Sequence, residues 1–288
     1  MLVKEIIDAI KEDRKATILD AGGYPGVVSD FFSMDQTFII DLKTCKKENF
    51  VRADCQFLPF RSAAFDFVTN IDVLEHLPSA KRLPVIDELL RVTRRFTVIA
   101  APFDSEDVRS ADRTLYEYIL NVLKREDENL KEHVNYGLPN LGELRDFLDS
   151  NKLVHVEFSN GYLSNWLPMQ ILNFHISKEE TYYRVNQLYN LAFYEDDNRE
   201  PSYRKVILID KISKDASELS VKTEPIKKRE QVAQSPEKLE FLDLFRSTVE
   251  GLEDQIQLKD NHIGNLEERI KGLEDQIQLK DNHIGNLE

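Results

Sequence analysis

The chain has 288 residues, 41% of them hydrophobic and 31% charged, with 38 Lys and Arg against 52 Asp and Glu for a net charge of −14. That apolar fraction fills one sizeable core plus an added segment, or two small ones, while the acidic balance disfavours non-specific binding to nucleic acid or anionic membrane. The two cysteines, Cys45 and Cys55, are too few for a disulfide framework and fit a reducing cytosol.

Residues 1–14, MLVKEIIDAIKEDR, alternate charged and apolar residues at helical spacing, which is not the pattern of a signal peptide. No stretch approaches the ~20 apolar residues that cross a bilayer, so a soluble, cytoplasmic protein without membrane insertion is expected. Residues 16–20 (ATILD) read as a strand, followed by a Gly-rich turn and a helix near 27–33. Residues 37–42, 50–53 and 64–70 read as further strands, 79–93 as a helix and 96–101 as a strand. Residues 141–150 read as a helix, and 154–158 and 205–211 as two late strands. Continuous Ile/Val-rich strands separated by helices predict a mostly parallel sheet covered on both faces. Between the late strands lies a long segment, 160–202, rich in Tyr, Asn, Trp and Phe.

Composition then changes. Residues 214–237 lack aromatics and are rich in Lys, Glu, Ser and Pro, which predicts a flexible linker between a domain at 1–213 and the tail. From Lys238 the apolar pattern is heptad, and GLEDQIQLKDNHIGNLE at 251–267 recurs unchanged at 272–288. One seam collects Leu242, Val249, Ile256, Ile263, Ile270, Ile277 and Ile284; the other collects Phe245, Leu252, Lys259, Leu266, Leu273, Lys280 and Leu287. Ile at a with Leu at d favours a parallel two-stranded coiled coil, and the lysines at d affect register and strand number. Residues 238–288 are therefore expected to form a parallel homo-oligomer, dimer or trimer, as a rod of roughly 75 Å at ~1.5 Å per residue. A single amphipathic helix packed on the globular part is the alternative.

The strongest local signal is Asp20-Ala21-Gly22-Gly23-Tyr24-Pro25-Gly26, an acid at a strand end running into glycines before a helix. Glycines there let the backbone turn sharply and approach a ligand; a tight turn of any α/β protein is the plain alternative. Asp41 ends the second strand, where an acid faces the crevice and accepts both hydroxyls of a ribose, or simply caps the next turn. Next come Ala53-Asp54-Cys55-Gln56-Phe57-Leu58-Pro59-Phe60, Phe65-Asp66-Phe67-Val68 and Asp72-Val73-Leu74-Glu75-His76-Leu77.

Taken together, A-D-x-x-x-L-P-F, F-D-x-V and D-V-L-E-H-L resemble the class I S-adenosylmethionine-dependent methyltransferases of the type 11 group, over about residues 16–102. The resemblance implies a Rossmann-like, doubly wound, seven-stranded, mostly parallel sheet, with a helical cap at about 103–203. It implies S-adenosylmethionine as cofactor, with Gly22, Gly23 and Gly26 along its methionine part and Asp20 organising the amino group. Asp41 would bind the ribose hydroxyls, Asp54 with Cys55 the adenine edge, and Ile71 and Asp72 would lie beside the sulfonium. Tyr24 stands where the family has its middle glycine, which tightens the loop.

Downstream, Ala101–Ser105, HVNYGLP at 133–139, Asn160–Leu163 and 194–205 resemble a branch of these enzymes found with glycosyltransferases and linked to surface polysaccharide assembly. A glycan or glycan-linked acceptor follows from that resemblance; another small molecule, such as a lipid-like quinone precursor, and a non-catalytic scaffold on a coiled coil are the alternatives. Tyr162, Trp166, Tyr182, Tyr183, Tyr189 and Tyr194 could stack on sugar rings or form the core of the cap. A hydroxyl acceptor needs a base within hydrogen-bond reach, and His76, His133 and Asp104 are the candidates, each with a structural role as the alternative. The six histidines show no metal-ligand spacing, so no metal is expected.

Overall fold

A computed structural model describes residues 1–11, 14–227, 258–259 and 261–274. They fall into two compact units, one containing residues 1–182 and 193–227, the other residues 183–192 and the described tail.

The first unit is built on a seven-stranded sheet of order β3-β2-β1-β4-β5-β7-β6. The strands are β1 Thr17–Ala21, β2 Gln36–Asp41, β3 Phe50–Arg52, β4 Phe65–Ile71, β5 Thr93–Ala101, β6 Val154–Tyr162 and β7 Ser202–Asp210. β1 to β5 pair in parallel, and β7 runs antiparallel between β5 and β6. The order reverses between β1 and β4, which opens a crevice beyond the carboxyl ends of these strands.

Successive side chains of a strand point to opposite faces, and here both faces are dry. Ile18, Val98, Ala100, Val206 and Leu208 pack with α1 (Leu2–Ile10), whereas Leu19, Ile99, Ala101, Ile207 and Ile209 pack with α3 (Ser79–Val92) and α6 (Leu141–Ser150). The unbroken apolar strands of the sequence follow from this two-sided burial. A short α2 (Val27–Phe31) follows the glycine turn, and a 3-10 turn, Leu74–His76, follows β4.

The segment expected to be a cap at 103–203 is not one body. α4 (Glu106–Asn121), α5 (Glu128–Tyr136) and α7 (Leu163–His175) share a separate cluster containing Leu115, Ile119, Leu130, Trp166 and Tyr203. α6 and β6, inside the same segment, belong to the sheet layer instead, because Leu144 and Leu148 complete one core and Val156 and Phe158 the other. α8 (Glu179–Phe193) completes the segment. Trp166 stacks on Tyr203 with ring centroids 3.5 Å apart, so this aromatic is core and not a sugar platform.

The linker expected at 214–237 is ordered over its described residues. Residues 216–227 form α9 (Ala216–Lys227), in which Leu219, Thr223 and Ile226 are buried. Their spacing of four and three is a helical stripe. Leu219 and Ile226 join Leu2, Ile6, Ile7 and Ile10 of α1 in one core, so the polar composition hides a three-residue anchor and the first unit runs past residue 213.

In the second unit, residues 261–274 are helical, with Ile263, Leu266, Ile270 and Leu273 exposed. Most of the coiled coil expected at 238–288 lies outside the described residues. Among the described residues no helix is long and apolar enough to cross a membrane.

Because α9 closes one face of the sheet, Leu219→Ala is expected to lower unfolding stability by about 2–3 kcal/mol. Urea denaturation followed by circular dichroism measures this, and an unchanged midpoint would mean that α9 is not part of the core.

Candidate active site at the carboxyl edge of the sheet

The crevice is walled by the turns and loops after β1, β2, β4 and β5. Asp20 lies near the end of β1 and is 1% exposed. The Thr69 hydroxyl donates to its Oδ1 at 2.8 Å, while Oδ2 has no partner. Burial, with a smaller contribution from Asp41 and against the Thr69 hydrogen bond, pushes its pKa up to about 7. Gly22 and Gly23 donate their backbone N–H to the Ile40 carbonyl at 2.9 and 3.1 Å, which folds the turn over the β1 end. A Cβ on Gly23 would collide with Asp20 Oδ2, and one on Gly22, at φ +79°, with Val73. Both glycines are therefore demanded by this packing alone. Gly26 opens α2 with φ +94°.

Asp41 ends β2 and accepts backbone N–H bonds from Lys43 at 2.7 Å and Tyr24 at 3.1 Å. A carboxylate has about four acceptor positions, so two bonds leave capacity for a diol. The Tyr24 bond ties the turn to Asp41, and the Tyr24 side chain is exposed. Asp54 accepts from the Gln56 backbone at 2.9 Å. Cys55 is buried beside it; burial first, then Asp54, Asp41 and Asp20, push its thiol up to about 12, so it stays a neutral wall.

Ile71 closes β4, and Asp72 follows with φ +53°. Asp72 accepts from Arg204 Nε of β7 at 2.5 Å, and its N–H bonds the Ala100 carbonyl at 2.8 Å. The acid expected beside the sulfonium is thus paired to a cation 132 residues away, which sequence spacing does not reveal.

The two candidate histidines meet. His76, in the turn after β4, and His133, on α5, have ring centroids 5.0 Å apart. His76 Nδ1 is 2.9 Å from Glu132 Oε2, and His133 Nδ1 is 2.9 Å from Asp112 Oδ2. Asp112 also accepts from the Tyr203 hydroxyl at 2.8 Å. Burial, then the neighbouring His133, lowers the pKa of His76. Glu75 is 2% exposed, and burial followed by the Asp72 charge raises its carboxyl well above the usual range. Glu75, His76 and His133 each place one ligand-capable atom within 4.8 Å of the others. The spacing of the histidines gave no such set, because the third member comes from α5 and only the fold delivers it.

Asp104 is not a member of this group. It pairs with Arg109 at 2.5 Å and lines a cleft with Phe103, Ser105, Leu141, Glu200 and Tyr203. Arg204, Tyr203 and Asp112 are the residues that sequence reading missed, although the first two lie in the stretch 194–205 singled out there.

Residues 32–100, which hold β2 to β4, all but the last residue of β5 and the run Asp72–Leu77, match the family model described as a methyltransferase domain. No curated protein matches the sequence. Among solved structures, magnesium protoporphyrin IX methyltransferase from Synechocystis, with bound SAH, is 13% identical, covers 72% of this chain and 80% of its own, and has a TM-score of 0.42. The 1,6-didemethyltoxoflavin-N1-methyltransferase of Burkholderia thailandensis is 14% identical, with coverages of 73% and 77% and a TM-score of 0.43. The YcgJ protein of Bacillus subtilis is 16% identical, with coverages of 73% and 96% and a TM-score of 0.42.

The state of Asp20 sets a pH dependence. Its carboxyl keeps a proton to about pH 7 in the folded chain, whereas the ordinary value is 3.8. The unfolded chain releases that proton first, so this group weakens the fold as pH rises across that window. Asp20→Asn is expected to stabilise the chain at pH 8, on the order of 2–4 kcal/mol, and to change little at pH 4. Urea unfolding at both pH values reads the difference.

Proposed function

We propose that the chain is an S-adenosylmethionine-dependent methyltransferase acting on a hydroxyl of a glycan or glycan-linked acceptor in surface polysaccharide synthesis. The observation that carries the cofactor assignment is the orphaned, buried Asp20 carboxyl under the glycine turn, one strand from Asp41. A buried acid lacking a partner on one oxygen suits the ammonium of an amino acid, and Asp41 with two acceptor positions left suits a ribose diol. The donor set therefore fits the cofactor: Asp20, Gly22, Gly23 and Gly26 for its methionine part, Asp41 for the ribose, Asp54 and Cys55 for the base, Ile71 and Asp72 beside the sulfonium. When bound, it supplies an already activated methyl group.

The chain's own part is positioning and proton removal. The cluster of Glu75, His76 and His133, directly after the sulfonium-side Asp72, is where loss of the acceptor's proton is assisted. The glycan assignment is supported by the resemblance over residues 101–210. A non-catalytic scaffold is the second reading, favoured by the Tyr24 N–H that occupies Asp41.

Titration of S-adenosylhomocysteine into the protein tests the cofactor assignment. Binding is expected, and Asp41→Ala is expected to weaken it by two charge-assisted hydrogen bonds, each about 1.5–3 kcal/mol. Equal binding by the variant would place the ribose elsewhere.

The tail is further proposed to join copies of the chain in parallel through residues 238–288, supported by the exposed Ile263, Leu266, Ile270 and Leu273. Light scattering is expected to give a dimer or trimer for the full chain and a monomer for a chain ending at Lys227. Two monomers at micromolar concentration would refute it.

A further inference from the structure

Two buried polar atoms of the Glu75, His76 and His133 cluster lack partners. Glu75 Oε2 and His133 Nε2 have no hydrogen bond, although Glu75 is 2% and His133 8% exposed. Leaving such groups buried and unsatisfied is costly, so they call for a partner. They do not satisfy one another, and among the described residues no other group does so.

Both rings hold Nδ1 against a carboxylate oxygen. A carboxylate only accepts, so Asp112 and Glu132 fix the proton of each imidazole on Nδ1 and leave the Nε2 lone pair available. Metal-binding histidines are held in this way, their second nitrogen donating to a carboxylate that sets the tautomer. Tyr203 in turn orients Asp112. Arg82 of α3 adds a mechanical constraint. Its guanidinium donates to the Leu74 and Leu77 carbonyls at 3.0 Å, to Leu138 at 2.9 Å and to Tyr136 at 3.2 Å. The turn carrying Glu75 and His76 is thereby locked to the end of the helix carrying His133.

We infer that Glu75, His76 and His133 bind a divalent first-row transition-metal ion. Two imidazoles and one carboxylate suit zinc or iron(II) and leave coordination positions open. The ligand atoms, now within 4.8 Å of one another, draw together around the ion. One carboxylate and two neutral rings leave a net positive charge.

The role of the ion rests on the proposed methyl transfer, but its binding does not. Beside Asp72 it would hold an acceptor hydroxyl and lower its pKa, so that the proton passes to solvent water. The acceptor oxygen then bonds to the methyl carbon, and the carbon–sulfur bond breaks with its electron pair left on sulfur. The histidines are thus ligands in this step and not free bases.

The test uses the tag-free full chain, stripped with chelator, then titrated calorimetrically with Zn2+ and with Mn2+ and followed by visible absorption on adding Co2+. One equivalent is expected to bind with micromolar or tighter affinity for Zn2+, and Co2+ is expected to give ligand-field bands. Glu75→Gln and His76→Ala, checked for folding by circular dichroism, are expected to lose at least tenfold in affinity. Glu132→Gln, a positioning change at a partly exposed residue, is expected to lose about 10–100-fold. No binding tighter than millimolar, or equal binding by Glu75→Gln and His76→Ala, would overturn the site; the latter would put the ion elsewhere, for example on the tail histidines. S-adenosylhomocysteine binding is measured on the same samples. Cofactor without metal overturns this inference alone, and metal without cofactor overturns the methyltransferase reading while the metal site stands.

Discussion

The buried guanidinium of Arg82 is the interaction on which the site depends. It is 8% exposed, and its donors go to main-chain carbonyls of Leu74, Leu77, Tyr136, Gly137 and Leu138. Carbonyls at element ends have no intrahelical partner and must be satisfied somehow when buried. One planar cation with five donors satisfies two such ends at once, which a lysine ammonium with its compact three donors does not reproduce. With the His76–Glu132 contact, that clamp holds α5 against the turn after β4, where His133 meets His76.

The sheet's two edges treat acids in opposite ways. At the edge where β4 begins, Asp66 accepts from the Thr17 backbone and hydroxyl and from Arg14 and Arg94. Burial pushes its carboxyl up, but these partners outweigh it and hold it below the ordinary range. At the same edge Asp210 pairs with Arg95. At the carboxyl edge, Asp20 and Glu75 are buried with an oxygen lacking a partner. Paired acids stabilise a fold; unpaired buried ones weaken it and persist where a ligand completes them.

Much of the candidate site is legible in the sequence because its residues are local to strand ends. Asp20, the glycines and Asp41 lie at strand ends, and strand ends announce themselves through apolar runs that stop. The same holds for β4 and the Asp72–Leu77 run. The bounds shifted where burial is one-sided or late: β6 continues to Tyr162 and β7 starts at Ser202, because their outer residues pair with each other at the sheet edge instead of packing in an apolar run. The composition of α9 is that of a linker because three buried residues among twelve do not move an average.

By itself the sequence determined the alternation of strands and helices, the crevice acids and the heptad tail pattern, since each depends on neighbours within a few residues. The tertiary structure decided what those neighbours cannot: that Arg204 neutralises Asp72 from β7, that Asp112 and Tyr203 orient His133, and that the 103–203 segment divides between the sheet layers and a separate helical cluster. These contacts join residues separated by 21 to 132 positions. Charge and hydrogen bonding act through space, so no period or motif along the chain encodes them until the sheet order and the Arg82 clamp bring the partners together.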